Sequence, residues 1–264
     1  ARLMDFIAKY GASPTDRAKV KVLTTSDEET ELELGGSDPV LYVFKTQSEA
    51  QFGELSFFRL YSGSLTPGTD MENTSRKTSE RIGQIYVLSG KNRESVSGLP
   101  AGDIGAVAKL KDTHTGDTLC AGKKAVVLPR VEFPKPNISA GLKVMNRGEE
   151  DKVAQGMSAL HEEDPTFIWK VDAELHQTVI SAQGALQLEV VIDRLKRRYN
   201  VNVQMIPLKI AYRETITRKS DSKYRHKKQT GGAGQFAEVW MRIEPKSRGE
   251  GVEFTQSLTG QNVD

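Results

Sequence analysis

The chain has 264 residues, of which 37% are hydrophobic and 27% are charged, and its formal net charge is +2 at pH 7. This composition fits globular domains, and the length predicts two or three of them. No apolar run approaches the roughly 18 residues of a membrane span, and no signal peptide is recognisable. Cys120 is the single cysteine, which excludes a disulfide within the chain and fits a reducing compartment.

The N-terminal residues predict a helix over Arg2–Tyr10, because their apolar side chains share one face and Gly11 is a suitable helix end. A helix of this length is not stable alone. The chain begins with Ala1 rather than methionine. We therefore expect it to be part of a longer, cytoplasmic protein in which this helix closes a preceding domain.

Residues 17–129 predict an all-β domain, since short apolar or alternating runs are separated by turns containing proline and glycine. Helical periodicity is absent from this region. The number and spacing of the runs predict a closed barrel. The predicted strands are Val40–Lys45, Gly53–Ser64, Arg81–Leu88 and Ile104–Leu110. Three prolines within Leu128–Asn137 then predict a stiff linker.

Residues 138–206 predict a second domain with the element order β-α-β-β-α-β. One helix is predicted over Gly148–Asp164, which Pro165 ends, and the other over Ala185–Asn200, where Asn200 is a suitable left-handed stop. This order predicts a ferredoxin-like sandwich, a four-stranded antiparallel sheet with two helices on one face. The predicted strands are Ile138–Val144, Phe167–Glu174, Gln177–Ala182 and Val201–Ile206.

From Lys209 onward the pattern predicts a third, incomplete unit. Two strands, Lys209–Thr217 and Phe236–Glu244, flank a basic loop that contains glycines. From Arg194 to Lys228 there are twelve Lys or Arg residues and two acidic ones. This density indicates nucleic-acid contact, with an ordinary solvated surface as the alternative. Aromatic residues are few for a single-strand stacking platform, so we expect phosphate contact without base reading.

Motifs for other chemistry are weak. Gly232–Ala237 matches the letters of a dinucleotide fingerprint, but a basic segment precedes it and an alternating strand follows, which argues against that function. The sequence has no P-loop, and its four histidines are not spaced as metal ligands. Glu162, Glu163 and Asp164 fit a helix end better than an acid/base pair, and Cys120 fits a buried residue better than a nucleophile.

Several longer runs together resemble one family, bacterial elongation factor G, a translational GTPase. They occur in collinear order over nearly the whole chain. In the barrel the matching runs are Arg59–Leu65 (RLYSGSL), Ala101–Val107 (AGDIGAV) and Thr115–Leu119 (TGDTL). Beyond it they are Glu162–Phe167 (EEDPTF), Leu188–Lys196 (LEVVIDRLK), Ala211–Thr217 (AYRETIT) and Gln229–Phe236 (QTGGAGQF).

The resemblance implies a multi-domain layout. Residues 1–14 would be the C-terminal helix of a GTPase domain, 15–130 the β-barrel domain II, 131–208 the α+β ferredoxin-like domain III, and 209–264 the start of a truncated α+β domain IV. The longer protein would promote tRNA–mRNA translocation coupled to GTP hydrolysis. GTP and Mg²⁺ would bind the GTPase domain, so this segment itself would hold no cofactor and no catalytic residue.

The same resemblance implies partners and site residues. We expect a monomer that binds rRNA and small-subunit proteins of the ribosome, with domain IV near tRNA and mRNA and no part in a membrane. We expect the rRNA-facing residues to be Arg225, His226, Lys227, Lys228 and Gln229. Ala185 and Gln187 would face the switches of the GTPase domain.

Two departures from the family leave alternatives open. The family usually has G-E-L-H-L-E where this chain has Gly184–Glu189 (GALQLE), and G-Q-Y-G where it has Phe236-Ala237 after Gly234-Gln235. The chain is therefore also compatible with a divergent second copy whose GTPase activity is altered or lost, or with a ribosome recycling or ribosome-protection factor. Ribosome-stimulated GTP hydrolysis by the longer protein would separate these possibilities.

Overall fold

The computed structural model describes residues 2–49, 53–90, 92–122, 125–212, 214–229, 231–232 and 234–257. It divides into two compact units, Ala1–Lys209 and Ile210–Asp264. The first unit contains the all-β domain and the sandwich, and the second contains a β-hairpin. Among the described helices, none is both long and apolar enough to cross a bilayer.

The first unit begins with the predicted helix α1 (Arg2–Tyr10), which ends where Gly11 N–H donates to the Ile7 carbonyl at 2.7 Å. A short 3-10 turn, Pro14–Asp16, leads into the all-β domain. Its strands in the described residues are β1 (Lys19–Thr24), β2 (Glu29–Glu33), β3 (Val40–Glu49), β4 (Gly53–Ser62), β5 (Ser64–Leu65), β6 (Asp70–Asn73), β7 (Thr78–Arg81), β8 (Ile85–Ser89), β9 (Asn92–Val96), β10 (Leu99–Pro100), β11 (Ile104–Ala108), β12 (Thr118–Cys120) and β13 (Val126–Val127).

The first four residues of β3, Val40–Val43, are buried on both faces, which explains the apolar run at the start of this strand. Leu41 and Val43 enter one core with Phe58 and Leu119, whereas Val40 and Tyr42 enter a second core against the β13-β1-β2 sheet. Alternate side chains of a strand point to opposite faces, so both cores share this strand.

The main sheet has eight strands in the order β7-β6-β12-β3-β4-β11-β8-β9. The prediction of an all-β domain is confirmed. The hydrogen-bonded ladder among the described residues is open, with β7 and β9 at its two ends, rather than closed as in the predicted barrel. The sheet nevertheless curves around one core, because residues of β3, β4, β6, β8, β11 and β12 all contribute to the same cluster.

One predicted strand, Arg81–Leu88, is two strands in the structure. Strand β7 ends at Arg81 and β8 begins at Ile85. Between them Ile82 is buried, and its backbone pairs with the preceding turn: Ile82 N–H donates to the Thr69 carbonyl at 2.9 Å, and Gly68 N–H donates to the Ile82 carbonyl at 2.7 Å. Ile82 was therefore predicted as a strand residue, but in the structure it holds the turn around Gly68 and Thr69 in place.

The sandwich follows a segment without regular structure over residues 128–137. Its described elements confirm the predicted order: β14 (Ile138–Val144), α2 (Glu150–Glu163), β15 (Ile168–Asp172), β16 (Gln177–Ala182), α3 (Ala185–Tyr199) and β17 (Val203–Ile206). The antiparallel sheet has the order β15-β16-β14-β17. Asn200 ends α3 with φ 52° and ψ 45°, the left-handed conformation expected there.

Both helices pack on the sheet through one core. Val153, Met157 and Leu160 of α2 join Leu188 and the other buried residues of α3, together with β14 and β16. The helices approach closely at Gly156, where an added Cβ would lie 2.7 Å from Leu195 Cδ2 and 3.1 Å from the Tyr199 ring. Because Gly156 has no side chain, α2 and α3 can pack this close to each other.

The second unit contains a hairpin of two nine-residue strands, β18 (Ser220–Lys228) and β19 (Gln235–Ile243). The prediction of a strand over Lys209–Thr217 is wrong for its described residues, which belong to no strand; Arg213 lies outside the described part of the chain. The basic segment predicted as a loop is instead β18, because every residue of it opposes one of β19. This segment is a strand because its backbone pairs with β19, which follows it closely in sequence, and not because apolar residues alternate along it.

We predict that Gly156→Val destabilises the sandwich by about 2 kcal/mol, because the new methyl groups meet a fully buried Leu195. The measurement is urea-induced unfolding in a Trp240→Phe background, followed by the fluorescence of Trp169 in β15, which is then the single tryptophan. The control is Ser158→Val on the exposed face of the same helix, which should change the free energy of unfolding by less than about 0.5 kcal/mol. Equal effects of the two substitutions would contradict the close approach.

Candidate functional site

The hairpin divides the predicted rRNA-facing residues between two faces. Arg225 and Lys227 point to one face of β18, whereas His226 and Lys228 point to the other, because successive side chains of a strand alternate. Gln229 follows the last strand residue and is exposed. The structure therefore does not bring these five residues together as one electropositive surface.

The face that contains Arg225 and Lys227 carries aromatic residues as well as cations. Lys223 opposes Trp240, Arg225 opposes Glu238, and Lys227 opposes Phe236. Lys223 Nζ lies 4.8 Å from the centroid of the Trp240 ring, and Arg225 Cζ lies 5.3 Å from that of Phe236. We call these six residues the cation–aromatic face.

The opposite face is mainly apolar. Tyr224, Val239, Met241 and Ile243 lie on it, with His226 and Lys228 toward the glycine end. His226 Nε2 lies 3.2 Å from Gln235 Oε1, so this predicted residue contacts its own hairpin. We call this the apolar face of the hairpin.

Sequence reasoning missed Lys223 and Trp240 as members of a candidate site. Part of this site could have been found in the sequence, because apolar and polar residues alternate along β19 and the glycines mark where the chain reverses direction. What the sequence did not reveal is that the basic segment is itself a strand, which places Lys223 across from Trp240.

The glycine segment between β18 and β19 does not have the architecture of a dinucleotide site. Gly231 and Gly232 have φ of 53° and 105°, values that favour glycine, while Thr230 and Ala233 lie outside the described residues. A strand rather than a helix follows, so there is no helix N-terminus to receive a pyrophosphate.

Gln187, predicted to face the GTPase switches, is tied into the sandwich itself. Its Oε1 accepts from Gln183 N–H at 2.8 Å, and its Nε2 donates to Asp164 Oδ2 at 2.7 Å and Thr166 Oγ1 at 2.8 Å. Gln187 thereby joins the start of α3 to the end of α2. Ala185 is exposed, and nearby Leu186 and Val190 line a groove of about 280 Å³ between the two helices.

The acidic residues at the end of α2 connect the sandwich to the all-β domain. Glu163 Oε1 accepts from the backbone N–H of Ser48 at 2.9 Å, and Arg198 of α3 donates to both Glu163 oxygens at 2.7 and 2.8 Å. The Arg198 guanidinium also donates to the Ser48 carbonyl at 2.5 Å. We call this set of contacts the Glu163 clasp.

The charge of Glu163 is stabilised in this position. Burial opposes the charged form, but the hydrogen bonds from Arg198 and Ser48, with the positive charges of Arg198 and Arg194, outweigh burial and leave the pKa of Glu163 below its ordinary value. Asp164, by contrast, bonds Thr166 beside Pro165, as expected for a helix end.

A second contact between the two domains gathers several acidic side chains around His114. His114 Nδ1 lies 2.6 Å from Glu162 Oε2, and His114 Nε2 lies 3.6 Å from Asp112 Oδ1. Burial and the negative charge of Glu162 raise the pKa of Glu54 on β4, while His114 acts in the opposite direction. Glu54 is therefore less stable as a carboxylate here than in water.

No metal or thiol chemistry is indicated by the geometry of the described residues. Among them, no group of three or more His, Cys, Asp or Glu side chains is placed to hold a metal ion. Cys120 is buried in the core beside β13, and burial raises the pKa of its thiol, which disfavours the reactive thiolate.

We predict that Arg198→Gln lowers the free energy of unfolding by about 1–2 kcal/mol, because Glu163 and the Ser48 carbonyl lose charge-assisted partners at a partly exposed site. The measurement is calorimetric unfolding, in which the transitions of the two domains should move apart. The control is Arg197→Gln, which removes the same charge from the same helix. Arg197 is exposed and pairs with Asp193, which is also exposed, so this substitution should have a much smaller effect. Equal losses in both variants would contradict the clasp.

We predict that Glu54→Gln is more stable than the unmodified chain at pH 7. A carboxyl whose folded pKa is raised costs stability above that pKa, and this cost disappears as pH falls toward the unfolded value of about 4.3. The stability gain should therefore shrink as pH falls through that window, as measured by thermal unfolding across pH. Glu94→Gln, at an exposed position of β9, should show no such trend, and a Glu54→Gln protein less stable at pH 7 would refute the prediction.

Comparison with known proteins identifies the domains in collinear order. Family models described as elongation factor G domain 2, elongation factor G domain III and elongation factor G domain IV match residues 38–122, 133–207 and 208–264. Together these ranges cover about four fifths of the chain.

A crystal structure of a protein from Thermus thermophilus is similar over 93% of this chain, with 30% sequence identity and a TM-score of 0.71. The match spans 35% of that protein, so the chain corresponds to about a third of its length. The three domain models and this likeness agree with the β-rich domain, the sandwich and the hairpin. The chain therefore belongs to the elongation factor G family, of which it carries domain II, domain III and domain IV sequence.

Proposed function

We propose that this chain is the ribosome-binding middle portion of a translation factor that promotes tRNA–mRNA translocation coupled to GTP hydrolysis. The collinear match to three elongation factor G domains supports this proposal. The chain has no P-loop sequence, so we assign GTP and Mg²⁺ to a GTPase domain outside residues 1–264. The protein would act in the cytoplasm as a monomer, with rRNA and small-subunit proteins as partners.

The observation that carries the proposal is the exposed basic strand β18. Arg225, Lys227 and Lys228 are exposed along it. Cations placed on an exposed strand meet phosphates without having to read bases, and rRNA presents a dense array of phosphates. Domain IV of the longer protein would bring this strand near tRNA and mRNA.

The Glu163 clasp supports a mechanical role for the first unit. Two of its hydrogen bonds join Ser48 of the all-β domain to Glu163 of α2 and Arg198 of α3, and two more join Arg198 to Glu163 within the sandwich. We propose that domains II and III dock on the ribosome as one body and transmit displacement of the GTPase domain.

The start of α3 is the part of domain III that we propose to face the GTPase switches. Ala185 is exposed there, and Leu186 is 73% exposed beside the groove between α2 and α3. Gln187 would act indirectly, since its side chain holds the end of α2 in place. Recycling, ribosome protection, or ribosome binding without GTPase activity remain the alternative functions.

We predict that replacing Arg225, His226, Lys227 and Lys228 together by serine weakens binding to ribosomes and flattens its dependence on salt. Each lost phosphate contact should lower the slope of log affinity against log salt by about 0.7–0.9. The measurement is co-sedimentation of the protein with ribosomes at several salt concentrations.

The control replaces three exposed lysines of the first unit, Lys21, Lys143 and Lys152, by serine and so removes the same formal charge. It should leave a steeper salt slope than the hairpin variant. Unchanged affinity and slope in the hairpin variant would refute the proposed role of β18.

A further inference from the structure

Pairing of β18 with β19 gathers cations and aromatic rings that the sequence spreads over eighteen residues. The rungs Lys223–Trp240, Arg225–Glu238 and Lys227–Phe236 follow one another on the same face. Neighbouring rungs of one face are about 6.6 Å apart along the strands. The face therefore presents a row of positive charges beside a row that includes two rings.

The Trp240 ring is both exposed and held in position. It is 69% exposed, and Phe236 is 62% exposed. Glu238 accepts from Trp240 Nε1 on one carboxylate oxygen at 3.1 Å and from Arg225 Nε on the other at 2.8 Å. One carboxylate thus orients an indole and a guanidinium that both remain accessible to solvent.

This combination suits an unpaired base rather than a duplex. A base stacks on an aromatic ring or on a guanidinium plane only when it is free of its own helix, whereas phosphates are contacted in either form. Lys223 lies across from Trp240 and Lys227 lies two rungs further along the same face, so phosphates of a single strand that runs along this face would meet a cation at both positions.

The apolar face of the hairpin is the weaker candidate for this contact. Tyr224, Val239 and Met241 are exposed on this face. Among the described strand residues, Lys228 is the one lysine or arginine on it, and it lies at the end next to the glycines. An apolar sheet face of this kind is suited to packing within a domain. The two faces therefore differ in the chemistry they offer, although both contain residues of the same basic segment.

We propose that the cation–aromatic face binds single-stranded RNA: a base replaces the Lys223 ammonium on the ring of Trp240, and Lys223 and Lys227 contact phosphates. This inference rests on the proposed function and adds to it the form of RNA and the face that recognises it. It also replaces the expectation of phosphate contact alone, because the hairpin places two rings beside the cations.

The first test uses Trp240 as the reporter of stacking. The chain has two tryptophans, so Trp169→Phe leaves Trp240 as the single indole. Added poly(U) should quench its emission to saturation, whereas a poly(A)·poly(U) duplex should bind with little quenching. In the same background Trp240→Leu should weaken binding of labelled poly(U) about tenfold, measured by fluorescence anisotropy.

The second test compares neighbouring lysines on opposite faces. Lys227→Gln and Lys228→Gln remove the same charge from adjacent residues. Lys227→Gln should weaken poly(U) binding and lower its salt slope by about 0.7, and Lys228→Gln should change both clearly less. Poly(U) binding without quenching, with equal effects of the two substitutions, would overturn this inference while leaving RNA contact intact. Absence of RNA binding, with normal ribosome binding by the four-serine variant, would overturn both this inference and the proposed function.

Discussion

Alternation of side chains along a strand is the constraint that gives this chain its two most informative surfaces. In β3 it distributes one apolar run over two cores and so binds the main sheet to the β13-β1-β2 sheet. In β18 it separates the consecutive residues Arg225, His226, Lys227 and Lys228 onto opposite faces. A charge count along the sequence cannot distinguish these faces, because the count is the same whether a segment is a loop or a strand.

The sandwich and the second hairpin strand, β19, were predictable from sequence, whereas the first hairpin strand, β18, was not. In α3 the apolar residues Leu188, Val191 and Leu195 recur at helical spacing and are all buried, so periodicity reports the element directly. β18 has no apolar periodicity and exists through backbone bonds to β19. The short polar strand β6 (Asp70–Asn73) went unpredicted for the same reason, since its partners β7 and β12 define it.

Contacts between the first two domains depend on residues far apart in sequence. Ser48 is 115 residues from Glu163, yet its backbone N–H helps to stabilise that carboxylate. The acidic run Glu162–Asp164 predicts a helix end, which is correct for α2, but each of its residues has a different partner. Local sequence predicts where a helix ends, whereas tertiary structure decides which of its terminal side chains bridge to another domain.

The Glu163 clasp also sets an order of events during synthesis. Arg198 follows Ser48 by 150 residues, so at roughly 5–20 residues per second it is made about 8–30 s later. For that interval the emerging all-β domain has to fold with the Ser48 carbonyl and amide solvated by water. The sandwich, in contrast, completes its folding against a neighbour that is already formed, and the first unit is thus assembled from its N-terminal side.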